Sequence, residues 1–174
     1  MIRVVLTGSE STGKSTLAAA LARHYQAALV PEFVRAFGER LGRPIDFSDH
    51  GAIARGQMAL EDQAGADNTQ LVVQDTDLLS TVVYCRHYFG TCPAWIEEAA
   101  TTRRPDVYLL CESDIPWIAD GVRDRGGRRN ETQELFRVAV AASGARSLDL
   151  RGPHDQRFVR ALTVIDQLLH GSQP

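Results

Sequence analysis

A chain of 174 residues with 44% hydrophobic and 24% charged residues has the size and balance of one folded domain, which excludes disordered, collagen-like and disulfide-framework classes. Its net charge of -3 leaves no global basic field for nonspecific nucleic-acid binding, so no nucleic-acid partner is expected. The longest uninterrupted apolar run, Leu17 to Ala22, is far short of the roughly 20 residues of a membrane helix, and the N-terminus lacks a signal-peptide pattern. A cytoplasmic location with no membrane partner is therefore expected. Cys85, Cys92 and Cys111 do not have zinc-site spacing, even with His87 nearby, and are expected as buried thiols in a reducing compartment.

In chain order, Ile2 to Thr7 is a β-branched run that meets a glycine turn, and Leu17, Leu21 and Tyr25 follow at four-residue spacing. The expected order is strand, loop, helix. Ala27 to Val30, Leu71 to Val73, Val107 to Cys111 and Ser147 to Leu150 are further short apolar segments between helical stretches, which makes five parallel strands the economical count. A helix is expected to start near Leu78. Another should run from Asn130 to Gly144, with Gln133 completing something like a capping box, and Phe158, Leu162, Ile165 and Leu169 form a last amphipathic stripe stopped by Gly171. The glycine- and charge-rich stretch between Asp114 and Arg129 has little periodicity and is the expected lid, at about 114–130, of a single domain spanning 1–174.

Gly8 to Ser15 read GSESTGKS, fitting the GxxxxGK[ST] pattern in which backbone N–H groups and a helix dipole converge on phosphate oxygens. Lys14 is the only lysine in a chain with 18 arginines. A P-loop NTPase three-layer α/β fold is expected, with ATP and Mg²⁺ as cofactors. Gly8, Glu10, Ser11, Thr12, Gly13, Lys14, Ser15 and Thr16 would hold the nucleotide, Lys14 bridging the β- and γ-phosphates and Ser15 ligating Mg²⁺. Asp75 and Asp77 follow an apolar segment whose end a parallel sheet delivers beside that loop. One of them is expected to cap the helix near Leu78. Asp75 is assigned to the metal and Asp77 to the substrate. Glu32, just past the second strand, is placed to accept a proton from an attacking hydroxyl, with Asp77 the next candidate. Arg35 lies one helical turn beyond Glu32 and is assigned to the substrate.

Arg123, Arg125, Arg128 and Arg129 cluster in the lid behind Asp120 and Gly121. Arg123 and Arg128 are the choices for the cations that phosphoryl transfer needs on the migrating group. Trp95, Trp117, Tyr84 and Tyr88 can stack on a flat base, with Asp77 and Asp120 supplying carboxylates should that base be cationic.

GSESTGKST, PEFVR at 31 to 35, QDTDLL at 74 to 79, YLLCESDIPWIADGVRD at 108 to 124 and the C-terminal RGPHDQRF together resemble the ribosylnicotinamide kinase domain of NadR-type proteins, over nearly the whole chain. That resemblance implies a nucleoside-monophosphate-kinase-like fold and transfer of phosphate from ATP to the 5'-hydroxyl of nicotinamide riboside. Such proteins commonly carry an adenylyltransferase domain, sometimes with a DNA-binding helix-turn-helix. Here the loop begins at residue 8 and no HxGH motif occurs, so adenylyl transfer and repression are not implied. A kinase for another nucleoside, or a nucleotide-binding ATPase or regulatory module, are the alternative readings.

Overall fold

Alternation along β1 (Ile2–Thr7) decides the layering. Val4 and Leu6 enter one apolar core while Val5 enters another, because successive side chains of a strand leave on opposite faces. The computed structural model describes residues 1–66, 69–114 and 129–171. Four further strands, β2 (Ala28–Val30), β3 (Leu71–Asp75), β4 (Val107–Cys111) and β5 (Arg146–Leu150), join β1 in one all-parallel sheet of order β2-β3-β1-β4-β5. Every residue of β3 and β4 is buried, as central strands covered on both faces require.

Among the described residues the helices are α1 (Lys14–Tyr25), α2 (Phe33–Leu41), α3 (His50–Gly65), α4 (Leu78–Phe89), α5 (Ala94–Thr102), α6 (Arg129–Ser143) and α7 (His154–Gly171). Leu17 and Leu21 of α1 and Val164 and Ile165 of α7 cover one face of the sheet with Leu6, Val73 and Leu109. The opposite face is covered by α4 and α6, where Val83 and Phe136 meet Leu110 and Val140 meets Val5 and Tyr108. This is a three-layer α/β sandwich. No helix among the described residues is long and apolar enough to cross a membrane.

The five expected strands are all present. β3 extends past the apolar Val73 to Gln74 and Asp75, because pairing of Val5 with Gln74 and Leu6 with Asp75 carries these polar residues into the ladder. Asp75 is thus the last residue of the strand rather than part of the loop after it. β5 begins at Arg146 and β2 at Ala28, each one residue from its expected start. The helix expected near Leu78 begins there, and Gly144 follows the end of α6. Gln133 does not serve in a capping box: its side chain turns inward to the sheet edge described next. Residues 115–128, the body of the expected lid, lie outside the described residues. All five strands end on one edge, and β1 has neighbours reached by crossovers on either side, the arrangement in which open α/β sheets bind ligands.

Candidate active site

The loop between β1 and α1 is shaped by close backbone approach. Gly8 has φ 128°, and a Cβ there would stand 2.6 Å from the carbonyl oxygen of Cys111 at the end of β4, so the chain passes over that strand only as glycine. Gln133, from α6, bridges the two: its Oε1 accepts from Ser9 N–H at 2.9 Å and its Nε2 donates to Cys111 O at 3.2 Å. Arg129 Nη2 donates to Ser11 O at 3.0 Å. Arg157 of α7 donates from Nη1 to Thr12 O at 2.8 Å and from Nη2 to Glu112 O at 3.0 Å, and also pairs with Asp114. Lys14 folds over the loop, its Nζ 2.6 Å from Ser9 O and 3.4 Å from Thr12 Oγ1. The first turn of α1 carries neither a capping side chain nor an acidic residue, and Ser15 and Thr16 are exposed there. Its N–H groups and dipole can therefore act on an anion.

Asp75, Glu32 and Asp77 stand at or just past the ends of β3 and β2, on the sheet edge that carries this loop. Asp75 accepts a hydrogen bond from the Ser15 hydroxyl, while its Oδ1 is buried with no hydrogen-bond partner among the described residues. Burial raises its pKa above the usual carboxylate value, the Ser15 bond opposes this and the nearby Glu32 charge adds to it. Glu32 occupies the N-cap position of α2 without capping it, its buried carboxylate 3.6 Å from Nε of the half-exposed Arg35. Thr76, between the two aspartates, has φ 74°. For a β-branched residue this conformation costs on the order of 1–3 kcal/mol, and its N–H is held by Leu6 O at 3.0 Å. The left-handed step turns the chain out of β3, so Asp75 stays beside Ser15 and Asp77 is carried to the start of α4.

Asp77 is the member of the pair that caps α4, accepting from Leu79 N–H at 3.0 Å, and it lines the adjacent cavity. Its Oδ2 accepts from the Tyr108 hydroxyl at 2.6 Å. Full burial pushes its pKa up to about 7, against the opposing Tyr108 bond. The folded protein therefore holds this proton more tightly than the unfolded chain. The stabilisation is complete below about pH 4 and is lost as pH rises through 7. Asp77→Asn keeps a capping oxygen. Relative to the parent, it is expected to gain on the order of 3 kcal/mol between pH 4 and pH 8, read by urea denaturation at the two pH values. An unchanged difference between the two proteins would show that Asp77 titrates normally.

The cavity has a volume of about 660 Å³ and is bounded by α2, α3 and α4 beside the loop, a size suited to a small ligand. Tyr84 and Tyr88 stand nearly parallel on one wall, centroids 6.0 Å apart and planes 9° apart. Glu10, in the loop, turns its side chain into this cavity and accepts from the Tyr84 hydroxyl at 3.0 Å. Trp95 does not line the cavity: it is 40% exposed on α5, with the Arg55 guanidinium 5.5 Å above its ring. Trp117, Asp120, Arg123, Arg125 and Arg128 lie outside the described residues. The three cysteines are buried thiols. Sequence reasoning gave no role to Arg157 or Tyr108, and read Gln133 only as a capping residue. Arg157 falls within RGPHDQRF, one of the stretches that carry the family resemblance, and that is the signal the sequence offers for it.

Comparison with known proteins agrees with this architecture. A family model described as AAA domain matches residues 3–157. The trifunctional NAD biosynthesis/regulator protein NadR of Escherichia coli (strain K12) is 27% identical over 175 residues, which covers 95% of this chain and 42% of that protein. A crystal structure of NadR protein in complex with NR superposes with a TM-score of 0.76 at 24% identity, covering 95% of this chain and 49% of the other. A second, of NadR protein in complex with NAD and AMP-PNP, gives a TM-score of 0.80 at 23% identity over 99% of this chain and 50% of the other. The chain thus spans about half the length of these relatives or less, and its fold is that of the P-loop NTPases.

Proposed function

This chain belongs to the AAA-domain family, and from that premise we propose that it is an ATP-dependent nucleoside kinase, converting nicotinamide riboside and ATP to nicotinamide mononucleotide and ADP. The observation that carries the reading is the meeting, at one sheet edge, of the GSESTGKS loop with a 660 Å³ cavity walled by aromatic faces and carboxylates. The resemblance to NadR, with structures in complex with NR and with AMP-PNP, supports the choice of both substrates.

In this reading the backbone N–H groups at residues 9–16 and the ammonium of Lys14 hold the triphosphate. The 5'-hydroxyl enters from the cavity and attacks the γ-phosphorus. Its proton passes to Glu32 as the bond to the β-γ bridging oxygen breaks and ADP leaves. The residues present fit Mg²⁺, because Ser15 and the buried, partnerless Oδ1 of Asp75 form an all-oxygen donor set. When bound, the ion neutralises charge on the β- and γ-phosphates. Tyr84 and Tyr88 offer faces to the cationic nicotinamide ring, and Glu10 and Asp77 supply carboxylates. Arg35 holds Glu32 in place, and Arg123 and Arg128 are the proposed lid cations.

An acceptor panel with ATP and Mg²⁺, read by the mass of the phosphorylated product, tests the proposal. Nicotinamide riboside is expected to exceed uridine, cytidine and deoxynucleosides in kcat/KM by roughly tenfold, the worth of one desolvated cation-aromatic contact. A pyrimidine nucleoside turning over faster would replace nicotinamide riboside as the substrate.

A further inference from the structure

Gln57 of α3 stands where α2 begins. The Phe33 ring packs against Gly56 so closely that a Cβ at 56 would lie 2.2 Å from Phe33 Cζ, and beside this contact Phe33 N–H donates to Gln57 Oε1 at 3.0 Å. A backbone N–H can only donate, so the orientation of the carboxamide is fixed: Oε1 faces α2 and Nε2 faces away with both protons. Gln57 is 3% exposed, it lines the cavity, and its Nε2 has no hydrogen-bond partner among the described residues. Thr76 Oγ1, on the same cavity, is likewise buried and without a partner there. Burying such groups unsatisfied is costly, and native structures keep few of them without a reason.

The charged side chains on the wall have partners of their own. Glu10 accepts from Tyr84, both oxygens of Asp77 are engaged by Leu79 and Tyr108, and Arg43 donates to both oxygens of Asp49 at 2.7 and 2.9 Å. Gln57 Nε2 is thus an oriented, neutral donor that a carbonyl entering this cavity can meet.

We propose that Gln57 is a specificity-determining residue of the acceptor site, its Nε2 donating to a carbonyl oxygen on the base of the incoming nucleoside. This rests on the nucleoside-kinase reading above. A site that buries a donor for one substrate atom discriminates against analogues lacking that atom, because the donor is then left unpaired.

The test compares kcat/KM for nicotinamide riboside and N-ribosylpyridinium, the same cation without its carboxamide, at pH 8 in the parent protein, Gln57→Glu and Gln57→Met. The parent is expected to favour nicotinamide riboside by about 30-fold or more. Gln57→Glu keeps an oxygen for Phe33 N–H and removes the donor. Its ratio should collapse to within about threefold while KM for ATP is unchanged, and Gln57→Met should give the same collapse. A ratio that persists in both variants, or a parent that does not discriminate, overturns the proposal and leaves Gln57 as a cap on α2. Because the readout is a ratio within each protein, general damage to folding cancels. Absence of turnover of any nucleoside by the parent is a different result, and removes the kinase reading together with this one.

Discussion

Lys14→Ala should abolish phosphoryl transfer, lowering kcat by about 10³-fold or more while circular dichroism stays that of the parent. The Lys14 ammonium donates to the loop groups Ser9 O and Thr12 Oγ1, and the apolar core under α1 is made by Leu17, Ala18 and Leu21. Losing those bonds costs ~1–2 kcal/mol of local stability, against a much larger loss in the transition state, where charge builds on the migrating group. Lys14→Arg should fail as well, since a planar fork does not replace a compact point charge in a loop this close-packed. Steady-state rates with ATP and nicotinamide riboside check both variants, and near-parental activity in Lys14→Ala would remove the loop from the mechanism.

Glu32→Gln is expected to lower kcat by about 10²-fold with little change in KM for ATP, because the amide keeps the shape of the side chain and loses the proton acceptor. Glu32 is buried at the carboxyl edge between β2 and α2, it has Arg35 as its ion-pair partner, and its charge is felt by Asp75. That surrounding makes it available as a base without engaging it as a cap. The pH dependence of kcat/KM gives a second readout: Asp77, with a pKa near 7, would impose a falling limb toward acid if its ionised form were the acceptor. An unchanged rate in Glu32→Gln, with that limb present, would move the proton to Asp77.

The loop, the five strands and the carboxylates at strand ends were legible because each is a local pattern. A buried parallel strand reads as an apolar run, and GxxxxGKS fixes four positions within eight consecutive residues. What escaped is set by contacts across the chain. Asn130 and Gln133 have capping-box spacing, yet the glutamine turns to Ser9 and Cys111, which lie 124 and 22 residues away. Gln57 and Arg157 are polar residues among several on their amphipathic helices, and their spacing does not set them apart from solvated ones. Trp95 has the composition of a stacking residue, but α5 packs outside α4, away from the cavity, and delivers it to the surface. Glu10 belongs to the loop motif, and no spacing rule says that its side chain leaves toward Tyr84.

The clamp on the loop also orders events during synthesis. Residues 8–15 are translated before Arg129, Gln133 and Arg157, which hold Ser11, Ser9 and Thr12 and are encoded more than a hundred codons later. At about 5–20 residues per second, that delay is roughly 6–30 s. A nascent chain halted before α7 would contain the complete motif and β1 through β5, yet Thr12 O would lack the guanidinium that fixes it. The loop is thus translated long before the contacts that give it its native shape, and a growing chain cannot set it in the finished geometry until α7 has docked.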